Sequence, residues 1–489
     1  MKVHLSFFSA FVSIVFFIIF SNTTYGQPET IWTKTFGGNG YDRGYSVQQT
    51  SDGEYILTGY TSSYGAGGHD VWLIKTDASG DTLWTKTYGG NNGDNGESVK
   101  QTSDGGYIII GDKDGYPSHS DVWLIKTNSD GDTLWTKIYG GNSDDAGKSV
   151  QQTSDGGYVL ACYTESYGAG YSDFWLIKTD ANGDTLWTRT YGGNNSDGCK
   201  SVQQTSDGGY IVAGTTESYG SGEMDAWLVK TDASGDTIWT KTFGGDSDDR
   251  GWSARQTSDG GYILTGGTAS FGAGGEDVWL VKTDASGVIV WEKTFGGNGY
   301  DRGQSVEQTT DWGYIITGYN KSINNGIEDI WLIKTNAAGD TVWTKTFGLF
   351  GGKGQSVQQN SDGGYIITGG IEYEAGGSDV LLILVAPDTG FIAIEDSPRL
   401  YPNSFLLDQN YPNPFNPTTT ISFELPMSTT VNLSIYNVTG QLVETLVNEH
   451  KNVGYHSVIW NASGVGSGLY FYRIEAGDYS ETKKCLILK

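Results

Sequence analysis

Positive charge is scarce in this chain of 489 residues: 30 Lys and Arg stand against 57 Asp and Glu, a formal charge of −27. Such a field repels phosphate backbones and anionic membrane surfaces, which argues against a nucleic-acid partner. Proline is rarer still at 9 residues, whereas glycine reaches 73 and aromatic residues 13%. A disordered chain would lack those aromatics. Three cysteines, Cys162, Cys199 and Cys485, cannot all pair within one chain, so the scaffold is not built on disulfides. Long apolar runs are missing too, with one exception: Leu5 to Phe20, preceded by Lys2 and followed by "SNTTYGQ". It reads as a secretory signal peptide over residues 1–26, since 16 residues fall short of the ~20 that span a bilayer. No transmembrane segment is expected in the mature chain.

What the sequence does have is repetition. Trp32, Trp84, Trp135, Trp187, Trp239, Trp291 and Trp343 follow one another at steps of 51 or 52 residues. A second series, Trp72, Trp123, Trp175, Trp227, Trp279 and Trp331, has Leu381 in its seventh place. Each repeat holds four short apolar segments: "SVQQT" (A), "YILTGYT" (B), "VWLIKTD" (C) and "TLWTKTY" (D). Tight turns such as "SDGG" and "ASGD" link A to B and C to D, so the class is all-β. The array opens on a lone D segment, "TIWTKTF", and its seventh copy has A, B and C but no D. Joining the two ends would hide both sheet edges, which predicts a seven-bladed β-propeller over residues 27–385. Strand A, with Ser46 and its six small counterparts, is expected innermost, and the tryptophans fill space between blades.

The repeat resembles bacterial secreted propeller repeats. "TDASGDTLW" is similar to the tryptophan-docking turn of quinoprotein-like propellers, with its Asp-to-Trp spacing one residue shorter, and "TSDGGYI" resembles the Asp-box hairpin. Neither resemblance implies a cofactor.

A residue present seven times is scaffold, so Asp70 and Asp52, with their counterparts, are expected to cap backbone N–H groups. The variable D–A and B–C loops share one face, where binding usually develops. Asp144, Asp145, Asp197, Asp248 and Asp249 are the candidate binding residues there, able to offer oxygen to Ca2+ although no calcium-loop spacing is present. His69 and His119 complete the set as a zinc or acid–base pair, against two solvent-exposed loop histidines. Cys162 and Cys199 replace glycines on adjacent blades, and either form a disulfide suited to an exported protein or remain buried thiols. Trp252 and Trp312 fall outside both tryptophan series, and Trp312 replaces a turn glycine.

Periodicity stops near Val385, and 386–404 reads as a linker. From residue 405 the chain carries "LDQNYPNPFNPTTTISFELP", "VNLSIYNVTGQLVETLV" and "GLYFYRIEAGDYSETKKCLILK". These resemble the C-terminal sorting domain of type IX secretion cargo, an Ig-like sandwich from Bacteroidetes and related bacteria. The resemblance rests on Tyr411, Pro412, Asn413, Pro414, Gly468, Tyr470, Lys483, Lys484 and Lys489 within that segment. It implies the type IX machinery as partner and a destination at the outer-membrane surface or outside a Gram-negative cell. No nucleophile elbow, phosphate loop or zinc motif is present. The expected function is therefore a non-catalytic propeller, without cofactor, binding an extracellular glycan or protein. The alternative is a carbohydrate-active hydrolase or lyase on the variable-loop face, since paired carboxylates need no local motif.

Overall fold

The computed structural model describes residues 27–115, 119–324, 326–348, 351–373, 377–388, 405–407, 409–410, 413–451, 454–477 and 479–487. The segments expected to be a signal peptide (1–26) and, apart from residues 386–388, a linker (386–404) lie outside them. All regular elements among the described residues are strands, and the chain divides into two compact units, residues 1–391 and 392–489.

The first unit holds seven four-stranded antiparallel sheets. The first sheet runs Asp42–Gln49, Tyr55–Thr61, Asp70–Thr76 and Thr82–Tyr88, in the roles A to D, and the next five repeat that order. The seventh takes A, B and C from Gly352–Gln359, Tyr365–Glu372 and Ser378–Val385, and its D strand is Thr30–Phe36. Trp32 stands opposite Leu384, and Phe36 opposite Val380. The lone D segment Thr30–Phe36 thus completes the last sheet.

Burial explains the strand chemistry. Tyr55–Thr61 and Asp70–Thr76 are buried at every position, because both faces are covered by neighbouring sheets. D strands alternate exposed and half-buried residues, as outer edges should. Between A and B the chain turns through Gly53 at φ +84°. In the sixth sheet Trp312 occupies that turn at φ 70°, the one described non-glycine residue in this region. It is 50% exposed.

Two repeated contacts tie each sheet to the next, and both return from the seventh to the first. The D-strand tryptophan of one sheet meets the B-strand tyrosine of the next, at ring-centroid distances of 5.6 to 6.0 Å. Trp32, in the seventh sheet, meets Tyr55 in the first at 5.9 Å. Nearer the A strands, the N–H of Ser51, Ser103, Ser154, Ser206, Ser258, Thr310 and Ser361 donates to a glutamine of the following A strand. These bonds are 2.8 or 2.9 Å, and the last runs from Ser361 to Gln49 Oε1.

The second unit has two antiparallel sheets. One orders Leu406–Leu407, Thr418–Leu425 and Gly454–Asn461; the other orders Leu442–Lys451, Thr429–Asn437, Gly468–Ala476 and Tyr479–Ile487. Side chains from both, including Phe423, Trp460, Leu433, Tyr472 and Cys485, form one buried cluster.

Candidate binding site

The residues present in every copy do structural work. Asp207, in the fourth A–B turn, accepts hydrogen bonds from Thr205 Oγ1 at 2.5 Å, Gly209 N–H at 3.0 Å and Lys230 Nζ at 3.1 Å. Lys230 is 3% exposed, so the carboxylate also neutralises a buried ammonium. Burial pushes this carboxyl up, but those partners outweigh it and hold it at about 2. Five further Lys–Asp pairs repeat the arrangement. The aspartates opening strand C also serve their own loops: Asp70 and Asp173 accept Ala66 N–H and Ala169 N–H, each at 2.6 Å. A Cβ on Gly192 would lie 1.7 Å from Asp173 Oδ1, which explains the glycine that follows each D strand.

Three of the five predicted loop aspartates differ from expectation. Asp145, Asp197 and Asp249 are fully buried and open the A strands of their sheets. Asp197 accepts Gly193 N–H at 2.8 Å and Ser218 Oγ at 2.7 Å, with Thr216 Oγ1 on its other oxygen. Asp42, Asp94 and Asp301 are their counterparts, so this is a third scaffold series and not a set of solvated calcium ligands. Asp144 is exposed and accepts Ser120 N–H at 2.9 Å; Asp248 pairs with Arg250 at 2.8 Å. No group of three or more metal-ligating side chains occurs among the described residues.

The two histidines are half-buried and have separate surroundings. His69 stacks on Tyr60 at 4.4 Å, and His119 lies 3.9 Å from Asp121. Cys162 and Cys199 are free and fully buried, so the expected alternative of a disulfide is not formed. Each packs into a different cluster between sheets, in a place the other copies give to glycine. Burial raises both thiols, that of Cys199 to about 12.

The sequence reading missed the variable positions of the A strands. Where the second residue of strand A is polar it is Arg43, Asn95, Arg250, Arg302 or Lys353, and the fourth includes Tyr45, Glu97, Lys148, Lys200 and Trp252. Arg43 pairs with Glu372 at 2.5 Å, Arg302 with Glu276 at 2.5 Å and Lys353 with Glu328 at 2.9 Å. Lys148 pairs with Glu97 of the preceding sheet at 2.5 Å, and Lys200 lies over the Trp252 ring at 4.7 Å. A small recess joins Arg43 and Tyr45 of the first sheet to Glu328, Lys353 and Glu372 of the sixth and seventh. Eight of the chain's basic residues therefore stand on strand A, in a protein otherwise dominated by acid: Arg43, Lys100, Lys148, Lys200, Arg250, Arg255, Arg302 and Lys353. Lys100 of the second sheet is brought down to about 8 by burial and by Arg255 of the fifth, against the opposing pull of Glu307 in the sixth.

In the second unit, Asn413 Oδ1 accepts Leu486 N–H at 2.9 Å, binding the "NP" segment with Pro414 to the last strand. Gln409 Nε2 donates to Lys484 O at 2.8 Å. Gly468 opens the strand carrying Tyr470, whose ring meets Trp460 at 5.8 Å, and Lys483 lies 3.7 Å from Glu481. Tyr411, Pro412 and Lys489 lie outside the described residues.

Residues 409–488 match the secretion system C-terminal sorting domain. The tail is a type IX sorting domain. Such a tail implies handling by the type IX machinery and delivery to the cell surface or extracellular space. Elsewhere the similarities are distant. The chain is 27% identical over 228 residues to the regulatory protein FlaEY of Caulobacter vibrioides, covering 41% of this chain and 23% of FlaEY. A structure of PorZ, a surface component of the type IX secretion system of Porphyromonas gingivalis, is 13% identical with a TM-score of 0.40. That match covers 89% of this chain and 58% of PorZ. A eukaryotic initiation factor structure gives 10% and 0.34, covering 87% and 81%. The chain thus spans under a quarter of FlaEY and somewhat over half of PorZ. No helix among the described residues is long and apolar enough to cross a membrane.

Proposed function

We propose that the seven sheets are the blades of a β-propeller closed by the N-terminal strand, and that this propeller is an exported, non-catalytic binding module. Support for closure comes from the two sets of contacts that return from the seventh sheet to the first, through Trp32 with Tyr55 and Ser361 with Gln49. The observation that carries the binding reading is the contrast between scaffold and axis. Aspartate, lysine and tryptophan series repeat around the ring, while inward positions of strand A change from copy to copy. Identical packing needs no such variation; recognition of one asymmetric ligand does. The ligand class is an extracellular glycan or protein.

Glycan and surface-protein arrays probed with the exported chain, followed by a turnover assay on every hit, test this. Binding without product is the expected result. Cleavage of a bound polysaccharide would replace the binding module by an enzyme.

A further inference from the structure

Away from the A strands, the outer parts of the sheets carry a second recurring arrangement. Six residues before the aspartate that opens strand C stand Tyr64, Gly115, Tyr167, Tyr219, Phe271, Ile323 and Tyr373, in chain order. The ring of Tyr64 meets Trp72 at 5.4 Å, Tyr167 meets Trp175 at 5.2 Å and Tyr219 meets Trp227 at 5.4 Å, tilted by 44 to 47°. Each of these tyrosine hydroxyls donates to the carbonyl of the glycine that follows the preceding D strand: Gly37, Gly140 or Gly192, at 2.7 or 2.8 Å. That bond fixes the ring while leaving the residue 47 to 49% exposed. Covering the tryptophan is not what the ring is for, because Trp123 and Trp331 stay buried in sheets that have no tyrosine at this place.

Two of the three pairs line open clefts beside the D strands. Tyr167 and Trp175 share a cleft of about 600 Å3 with Thr188 and Thr190, and Tyr219 and Trp227 share one of about 470 Å3 with Thr240 and Thr242. Volumes of this size suit small ligands. The two threonines of each pair are exposed and stand two residues apart on a strand, so they share one of its faces. Each hydroxyl can donate one hydrogen bond and accept two. No carboxylate lines either cleft among the described residues, and the one charged group there, Arg189, already pairs with Asp236 at 3.1 Å. Thr85 and Thr87 take the same places in the first sheet. The other four copies each lose a member of the set: Gly115 and Ile138 stand in the second, Phe271 and Glu292 in the fifth, Ile323 in the sixth and Leu381 in the seventh.

We infer that these two clefts, and their counterpart at the first sheet, each bind a unit of a neutral saccharide. The tyrosine ring stacks on a sugar face and the threonine pair bonds the sugar hydroxyls. A pyranose presents one face rich in C–H groups inside a rim of hydroxyls, and a half-exposed ring beside two hydroxyls complements both parts. An acidic sugar meets the chain's charge of −27 and a cation that is already paired. Three like sites on one chain also let a polysaccharide that reaches two of them gain by effective concentration. The inference rests on the proposed binding role but uses sites other than the axial one. Ring closure is needed for the first site alone, since Gly37 follows the strand Thr30–Phe36.

Calorimetric titrations of the full chain with four hexasaccharides test this: β-1,4-linked glucose, mannose and galactose, and galacturonate as the acidic comparison. At least one neutral hexasaccharide binds at least tenfold tighter than hexagalacturonate, with more than one bound per chain. The variant Y64A/Y167A/Y219A loses at least tenfold in affinity. Tyr373→Ala removes an exposed tyrosine beside Leu381 instead of tryptophan, and binding is unchanged. Where the tyrosine variant fails to fold, T188V/T190V/T240V/T242V decides, because it keeps the shape of exposed β-branched residues and with it the ligand-free Tm. It loses affinity severalfold and lowers the number bound per chain. A neutral hexasaccharide held equally by wild type and the valine variant overturns the clefts while leaving the axial reading intact, and so does a single site per chain. Tighter binding of hexagalacturonate, or binding of none of the neutral three, also overturns them. Cleavage of a hexasaccharide whose binding the variants weaken overturns the non-catalytic reading and leaves the clefts standing.

Discussion

Removing one ring at the closing junction tests the architecture. Trp32→Ala takes away the indole that meets Tyr55 edge-on at 5.9 Å, across the contact between the seventh sheet and the first. Burying ~120 Å2 of a partly exposed tryptophan at ~25 cal/mol per Å2 is worth about 3 kcal/mol. The edge-to-face pair adds about 1 kcal/mol. Trp84→Ala is the internal control, because Trp84 makes the same contact with Tyr107 at 6.0 Å between sheets adjacent in sequence. In a closed ring the two substitutions cost the same, about 3–4 kcal/mol each, and lower Tm by ~5 °C. Scanning calorimetry of the full chain reads both, with each transition compared to wild type because a long repeat array need not unfold in two states. A Tm change below ~1 °C for Trp32→Ala, beside a full loss for Trp84→Ala, would show that Thr30–Phe36 makes no junction, and the ring would be refuted.

Three further outcomes follow from the same contacts. Asp207, held at about 2 against an ordinary value near 3.8, contributes stability that is present above pH ~4 and lost as pH falls toward 2. Asp207→Asn is therefore less stable than wild type at pH 7, and acid titration of Tm should show the gap closing near pH 2; a constant gap refutes the Lys230 pairing. Trp312→Gly relieves the left-handed backbone and raises stability by about 1 kcal/mol in urea unfolding, and a loss would contradict the strain. Cys162 and Cys199 react with a thiol reagent only after unfolding, and non-reducing electrophoresis gives the same mobility as reducing, unless a disulfide links them.

Most of the fold is legible in the sequence because repetition multiplies weak local signals. One "TLWTKTY" segment is ambiguous, but seven at a fixed period, with the first detached from the last, specify both strand and partner. The aspartates show the limit of that method. Asp145, Asp197 and Asp249 begin strands at the end of segments whose neighbouring letters vary, so "NSDDAG" reads as a variable loop. Aligning each copy on the serine four residues later shows Asp42, Asp94 and Asp301 in the same column, and with it a buried role. The axial cations are hidden for the opposite reason. Strand A is read through its small serines, and their constancy draws attention from the seventh residue, where Lys100 and Arg255 break the glutamine pattern. Which oxygen accepts which N–H depends on the sheet-to-sheet register, and no single copy contains that information.

Departures from the repeat can be sorted by whether the structure compensates them. Leu384 stands in the seventh sheet where six copies have the strand-C lysine, and the change is absorbed locally. Asp388 accepts Trp343 Nε1 at 2.7 Å and the Tyr365 hydroxyl at 2.5 Å, fastening the junction between the sixth and seventh sheets. Val288 replaces the aspartate that pairs with a D-strand cation in other turns, such as Asp236 with Arg189 at 3.1 Å. That exposed pair is worth well under ~1 kcal/mol, so its loss is nearly free. Arg255, which stands where other copies have an acceptor glutamine, donates its Nη1–H to Ala254 O at 3.0 Å, so this departure too is answered within the chain.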